Sequence, residues 1–204
     1  MRFIWVDAGN DADWGKLATH GINGAFYALS DPPADLRRRL TETKKRGMAA
    51  GLYSAWNWWG LDTSDGRAYA EATHERVVEV CEGLAGVSNS YPKVQLDNED
   101  HRPDVILAML RRWRELQPKR DTSWTLESGQ GGWMTVEFTA EVVRLRVRVV
   151  PQSYTGPMAR VESDFTLRDL LRRAYPESSI SLFYDAAALG VNWDGFAFTM
   201  GRLP

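Results

Sequence analysis

Short apolar runs alternate with longer amphipathic segments along the chain, and this alternation restricts the fold more than any other feature of the sequence. The apolar runs have the length and the β-branched or aromatic content of buried strands, and the segments between them carry apolar residues at helical spacing. Strands that alternate with helices pair in parallel through right-handed crossovers. The predicted strands are 3–6, 24–29, 48–54, 94–96, 122–126, 147–152, 180–184 and 195–200.

The segments between these strands are predicted as helices. The clearest is 103–116, because Pro103 suits a first helical turn and its apolar residues from Val105 to Trp113 recur at helical spacing. In helix 64–84 the apolar stripe is assigned to Ala68, Ala72, Val77, Val78, Cys81 and Leu84. The remaining predicted helices are 11–19, 34–46, 135–143 and 165–175.

About eight such strand–helix units predict a single α/β domain over residues 1–204, a compact (β/α)8 TIM barrel with weak last helices. An open doubly wound sheet is the alternative. That fold commonly has a glycine-rich phosphate-binding turn after its first strand, and Asp7-Ala8-Gly9-Asn10-Asp11 is not such a turn.

The composition excludes several classes of function. With 25 basic and 27 acidic residues the chain has no general attraction for nucleic acid or an anionic membrane. The basic run Arg37-Arg38-Arg39 is interpreted as a solvated helix face. Cys81 cannot form an internal disulfide and is expected to be a buried thiol, and three histidines do not support a metal centre at His101. We therefore expect no metal and no cofactor.

Acidic residues follow the predicted strand 94–96 at once. Alternate strand residues share a face, so Asp97 and Glu99 are expected on one side and Asn98 on the other. A solvated loop between strand and helix is the alternative interpretation. In a parallel barrel all strands end at one face, where enzymes of this fold have their active sites. The other strand ends and nearby loops supply Asp7, Glu127, Tyr154 and Asp185, with Trp56, Trp58, Trp59 and Trp133.

Acidic and aromatic side chains at one face are typical of glycoside cleavage. That reaction needs a protonated carboxylic acid at the leaving oxygen and a second carboxylate to stabilise or attack the sugar centre. Crowded carboxylates raise the pKa of one of them, which keeps a general acid protonated near neutral pH. Some of the nine tryptophans are expected to stack on sugar rings. Asp31, which precedes Pro32-Pro33, is expected to be a turn residue.

Two motifs resemble the family-25 glycoside hydrolases, the muramidase-type lysozymes of bacteria and phages. They are Trp5-Val6-Asp7-Ala8-Gly9 on the first strand and Leu96-Asp97-Asn98-Glu99 on the fourth. The resemblance implies that Glu99 is the general acid, Asp97 the assisting carboxylate or nucleophile, and Asp7 a supporting carboxylate. Glu127 is an alternative second carboxylate, and the implied substrate is the glycan strand of peptidoglycan.

Two functions remain open at this point. The first is a hydrolase of cell-wall polysaccharide, supported by Glu127, Asp185, Tyr154, Trp56, Trp58 and Trp133 as substrate-binding or supporting residues. The second is a phage minor tail or carbohydrate-binding module on the same barrel, with little or no catalysis. The first residues show no signal peptide, so we expect the protein to be made in the cytoplasm. We expect it to be virion-associated or released at lysis, with phage tail proteins as further partners.

Overall fold

The computed structural model describes residues 3–6, 9, 11, 14–15, 24–54, 63–98, 100, 102–126 and 136–151. These residues contain strands β1 (Phe3–Val6), β2 (Gly24–Ala28), β3 (Ala49–Ser54), β4 (Lys93–Leu96), β5 (Thr122–Leu126) and β6 (Arg148–Pro151). They also contain helices α1 (Pro33–Lys45), α2 (Gly66–Cys81), α3 (Pro103–Leu116) and α4 (Val136–Arg144). The predicted strands 180–184 and 195–200, the predicted helix 165–175 and most of the predicted helix 11–19 lie outside the described residues.

The six strands form one parallel sheet in the order β1-β2-β3-β4-β5-β6. Because each strand lies next to its predecessor, all crossovers step in the same direction, and right-handed crossovers then place every helix on one face of the sheet. A doubly wound sheet instead reverses direction at a switch point. The sequential order is that of a (β/α)8 barrel, so the α/β prediction is confirmed and the doubly wound alternative is wrong.

Alternate strand residues divide the sheet into two faces. One face packs against the helices, where Tyr27, Leu52, Leu96 and Trp124 join helix residues such as Ile106 in a single hydrophobic core. We call the opposite side the inner face. The residues on it include Phe26, Ala28, Gly51, Tyr53, Lys93, Gln95, Ser123 and Thr125.

Gly51 on β3 is required by close packing on the inner face. A Cβ at this position would lie 2.3 Å from Cε1 of Phe26, the residue opposite it on β2. The aromatic ring therefore occupies the space that a larger side chain would need.

The predicted stripe of α2 is partly wrong. Ala68 and Val78 are exposed, Val78 to 41%, whereas the buried positions include Tyr69, Thr73 and Val77. The cause is the close approach of α2 to α3, since a Cβ on Gly66 would lie 2.1 Å from the Val105 carbonyl oxygen. With Gly66 against α3, the buried face of α2 is the one that carries Tyr69, Thr73 and Val77.

Cys81 at the end of α2 is half-buried and packs against the core. Burial, the largest contribution, raises the pKa of its thiol, although the Arg120 guanidinium acts in the opposite direction. No helix in the described part of the chain is long and apolar enough to cross a membrane.

Candidate active site at the carboxyl end of β4

Asp97 and Asn98 follow β4 at the carboxyl edge of the sheet, and both are buried. Asp97 is 4% exposed and Asn98 is fully buried. The Asn98 amide nitrogen donates to the Thr63 carbonyl oxygen at 3.2 Å, and its side-chain oxygen accepts the Asp100 N–H at 2.9 Å. Burial and these contacts contradict the interpretation of the two residues as a solvated loop.

The main chain of Asp97 is held from β3 and from α2. Its N–H donates to the Ser54 carbonyl oxygen at 3.1 Å. Its own carbonyl oxygen accepts a hydrogen bond from the Tyr69 hydroxyl at 2.8 Å. The same hydroxyl lies 2.9 Å from Ser54 Oγ and 3.1 Å from the Ser54 carbonyl oxygen. The fully buried Tyr69 therefore joins the ends of β3 and β4 and fixes the backbone on which the Asp97 carboxylate is carried.

Below Asp97, the inner face continues with polar and aromatic groups. Gln95 lies two residues before Asp97 on the same face, and its Nε2 donates to Thr125 Oγ1 at 2.7 Å. Tyr53 is the register partner of Gln95 on β3. At the opposite end of these strands Lys93 forms an ion pair with Asp121. The inner face beneath Asp97 is thus a closely packed layer, in which Gln95, Tyr53 and Thr125 are buried and support the strand end.

Asp31, expected to be a turn residue, does lie at a bend after β2, but its side chain forms a buried ion pair. It is 4% exposed and pairs with Arg39, which is 6% exposed. The interpretation of Arg37-Arg38-Arg39 as a wholly solvated face is therefore wrong for its last member. Helical spacing contains the signal, because Arg39 shares the inward face of α1 with Leu36 and Leu40.

Asp11 completes this ion-pair group. It contacts Arg38 at 3.0 Å and Arg39 at 2.8 Å. Its partial burial alone would raise its pKa, but the hydrogen bonds and positive charges of the two arginines outweigh that effect and lower the pKa.

Two of the tryptophans are core residues and not ligand platforms. Trp113 and Trp124 are fully buried between the sheet and the helices. Trp113 Nε1 donates to Thr122 Oγ1 at 2.9 Å, and the Trp124 ring packs on Phe138.

Asp97 is the predicted site residue whose contacts the structure describes. Glu99, Asp7, Glu127, Asp185, Tyr154, Trp56, Trp58 and Trp133 lie outside the described residues. The strands that lead to Asp7, Asp97 and Glu127 are nevertheless parallel members of one sheet, so their carboxyl ends point the same way. Within the described residues, no group of three histidine, cysteine, aspartate or glutamate side chains could hold a metal ion.

No protein-family model matches this chain, and no curated protein matches it in sequence. Its structure is similar to the catalytic domain of a hyperthermophilic chitinase from Pyrococcus furiosus, with a TM-score of 0.51 and 15% identity over 87% of this chain and 68% of that chain. Catalytic-site mutants of active domain 2 of a thermostable chitinase from the same organism, complexed with chito-oligosaccharides, match with a TM-score of 0.51 and 15% identity over 87% of this chain and 67% of that chain.

At this identity the likeness shows the fold alone. It agrees with the sequential parallel sheet and confirms a single-domain α/β barrel fold. These neighbours are chitinases and not family-25 muramidases, so the finer resemblance seen in the two sequence motifs stays a prediction.

Proposed function

We propose that this protein is a glycoside hydrolase that cleaves a polysaccharide of β-linked N-acetylated amino sugars. The observation that carries the proposal is the Asp97 carboxyl group, which is buried at the carboxyl end of a parallel β-strand with its main chain held by Ser54 and Tyr69. Enzymes with this fold have their catalytic groups at that edge of the sheet.

The choice of substrate rests on two independent indications. The structural neighbours are chitinases, and one was solved with chito-oligosaccharides. The sequence motifs resemble muramidases, which act on peptidoglycan. Both polymers contain N-acetylated amino sugars, and the peptidoglycan glycan strand is the finer proposal.

Glu99 is the proposed general acid, Asp97 the assisting carboxylate or nucleophile, and Asp7 a supporting carboxylate. Asp97 directly follows β4, and Glu99 is two residues further along the chain. Two carboxyl groups that lie close together repel each other when both are ionised, which favours one protonated and one ionised member. The protonated member donates its proton to the glycosidic oxygen, and the ionised member stabilises or attacks the positively charged sugar carbon.

The remaining predicted residues complete the proposal. Trp56, Trp58 and Trp133 would stack on sugar rings, and Glu127, Asp185 and Tyr154 would bind substrate or support the carboxylates. Association with a phage tail stays a separate prediction, which co-purification with intact virions would test.

The test is the release of reducing ends from chito-oligosaccharides and from purified cell walls. Glu99→Gln and Asp97→Asn should each lower the rate by roughly a hundredfold or more, which is the usual contribution of an acid–base or assisting carboxylate. Asp104→Asn is the matched control, because this exposed residue in the first turn of α3 undergoes the same chemical change nearby. A Glu99→Gln protein as active as the wild type would exclude Glu99 as the acid.

A carbohydrate-binding or minor tail module is the second candidate. It is favoured by one sequence observation, because the predicted strand 195–200 brings no acid where the family-25 resemblance leads one to expect an aspartate. Wild-type protein that co-sediments with cell walls and releases no reducing ends would support this candidate and exclude the hydrolase.

A further inference from the structure

Both carboxylate oxygens of Asp31 have a partner at the carboxyl end of β2. Oδ1 accepts the Gly9 N–H at 2.8 Å, and Oδ2 pairs with Nη1 of Arg39. A buried carboxylate without partners would cost several kcal/mol. The two contacts therefore determine the orientation of the Asp31 side chain.

Two arginines from neighbouring helices hold Asp31, one through its carboxylate and one through its main chain. The Arg39 guanidinium on α1 bridges two acids, because its Nη1 pairs with Asp31 while its Nε donates to Asp11 Oδ1 at 2.8 Å. From α2, Arg76 donates to the Asp31 carbonyl oxygen at 2.8 Å and to the Leu29 carbonyl oxygen at 3.0 Å. The end of β2 is thus held by α1 and α2, and it in turn contacts Gly9 and Asp11, which follow β1.

Gly9 is the point at which this network reaches the chain after β1. Its φ is +79°, and nothing lies within 4 Å of the place where a Cβ would be. Glycine is therefore favoured by the backbone conformation and not by lack of space. Gly9 follows Asp7 by two residues, so at most about 7 Å of chain separates the anchored amide from that residue.

We propose that Asp31 and Arg39 are positioning residues that hold the segment after β1, and with it Asp7, at the carboxyl face of the sheet. This inference rests on the proposed function, in which Asp7 is a supporting carboxylate. Buried ion pairs contribute little net stability compared with apolar packing, so the presence of this pair beside a predicted catalytic strand end favours a positioning role.

Three variants separate positioning from simple stabilisation. Asp31→Asn keeps an oxygen for the Gly9 N–H but loses the charge that pairs with Arg39. Arg39→Lys keeps the positive charge, but a single ammonium cannot reproduce the fork that reaches both Asp31 and Asp11. Arg38→Gln is the matched control, because Arg38 also contacts Asp11 but is 44% exposed and lies outside the ion pair between Arg39 and Asp31.

Two measurements are made on each full-length variant. The first is kcat and KM on chito-oligosaccharides. The second is hydrogen–deuterium exchange of residues 3–15, with α3 as an internal reference for global folding. We expect Asp31→Asn and Arg39→Lys to lower kcat by roughly tenfold to a hundredfold with little change in KM, as a misplaced catalytic group does. Exchange should rise in residues 3–15 and not in α3, and Arg38→Gln should leave both measurements unchanged.

Three other results would contradict the anchoring role, its link to catalysis or the proposed function. Unchanged exchange in residues 3–15, or a rise of equal size in α3, would overturn the anchoring role. A normal kcat with faster exchange in residues 3–15 would overturn the link to catalysis. If the wild type releases no reducing ends, the proposed function fails, while the exchange comparison still decides whether Asp31 and Arg39 anchor the segment after β1.

Discussion

Replacement of Tyr69 by phenylalanine tests how the Asp97 site is built. The change removes one hydroxyl from the point where β3, β4 and α2 meet and leaves the ring in place. That hydroxyl lies 2.8 Å from the Asp97 carbonyl oxygen and 2.9 Å from Ser54 Oγ. Phenylalanine fills nearly the same volume, so the result reports the hydrogen bonds and not a cavity.

The expected cost follows from the burial of these groups. Removing the donor from a buried acceptor costs about 1–3 kcal/mol. In a domain of this size each kcal/mol lowers Tm by about 2–4 °C, so a fall of roughly 2–12 °C is expected. Because the lost bond ends on the main chain of Asp97, we also expect kcat for reducing-end release to fall by roughly tenfold through misplacement of the carboxylate.

Tyr27→Phe is the matched control. Tyr27 is also buried, and burial raises its pKa to about 12, so its hydroxyl is neutral and lies 2.7 Å from Thr43 Oγ1. Thr43 keeps its own bond to the Arg39 carbonyl oxygen at 2.8 Å, so the loss should be only about 0.5–1.5 kcal/mol. Because this bond ends on the Thr43 side chain and not on the main chain of Asp97, kcat should not change.

Urea denaturation and initial rates are measured on both variants. Unfolding of Tyr69→Phe at the same urea concentration as the wild type would refute the stabilising role of the Tyr69 hydroxyl. Equal kcat values for the two variants would show that Tyr69 has no specific effect on Asp97.

Two further predictions concern the helices. Gly66→Ala places a methyl group 2.1 Å from the Val105 carbonyl oxygen and should destabilise the protein. Overpacking costs about 1–3 kcal/mol, which exceeds the gain in helix propensity of up to about 1 kcal/mol. A variant that is as stable in urea as the wild type, or more stable, would contradict the close approach of α2 and α3. Hydrogen bonds from Arg144 and Arg111 lower the pKa of Glu141 from 4.5 to about 2, so its stabilisation is present above pH 4.5 and is lost as the pH falls towards 2. Because both arginines are exposed, Glu141→Gln should lower the free energy of unfolding by at most about 1 kcal/mol at pH 7 and by almost nothing near pH 2. If the stability difference between the variant and the wild type did not change with pH, the pairing would be disproved.

Local sequence signals were sufficient for the main elements of the fold. The predicted bounds of β1, β5 and α3 agree with the structure, and those of the other described strands and helices differ by a few residues. These signals act over a single turn or strand, as when Pro103 starts α3 and an apolar run forms β4. The repetition of such units also predicted the parallel α/β barrel.

Site prediction from the sequence depended on position at a strand end. The apolar run before Asp97 was enough to place this residue at the carboxyl edge of the sheet, and the structure adds that it is buried. The role of Tyr69 was not visible, because the two residues are 28 positions apart and meet only when α2 packs beside β4.

The sequence by itself therefore determined the order and type of the described strands and helices and the strand end where Asp97 lies, because both depend on near neighbours in the chain. Only the tertiary structure decided which face of α2 is buried and that Asp31 is paired with Arg39 and bound to Gly9. The first depends on how closely α2 approaches α3. The second joins groups from β1, β2 and α1, whose burial is favourable only after those elements have packed together.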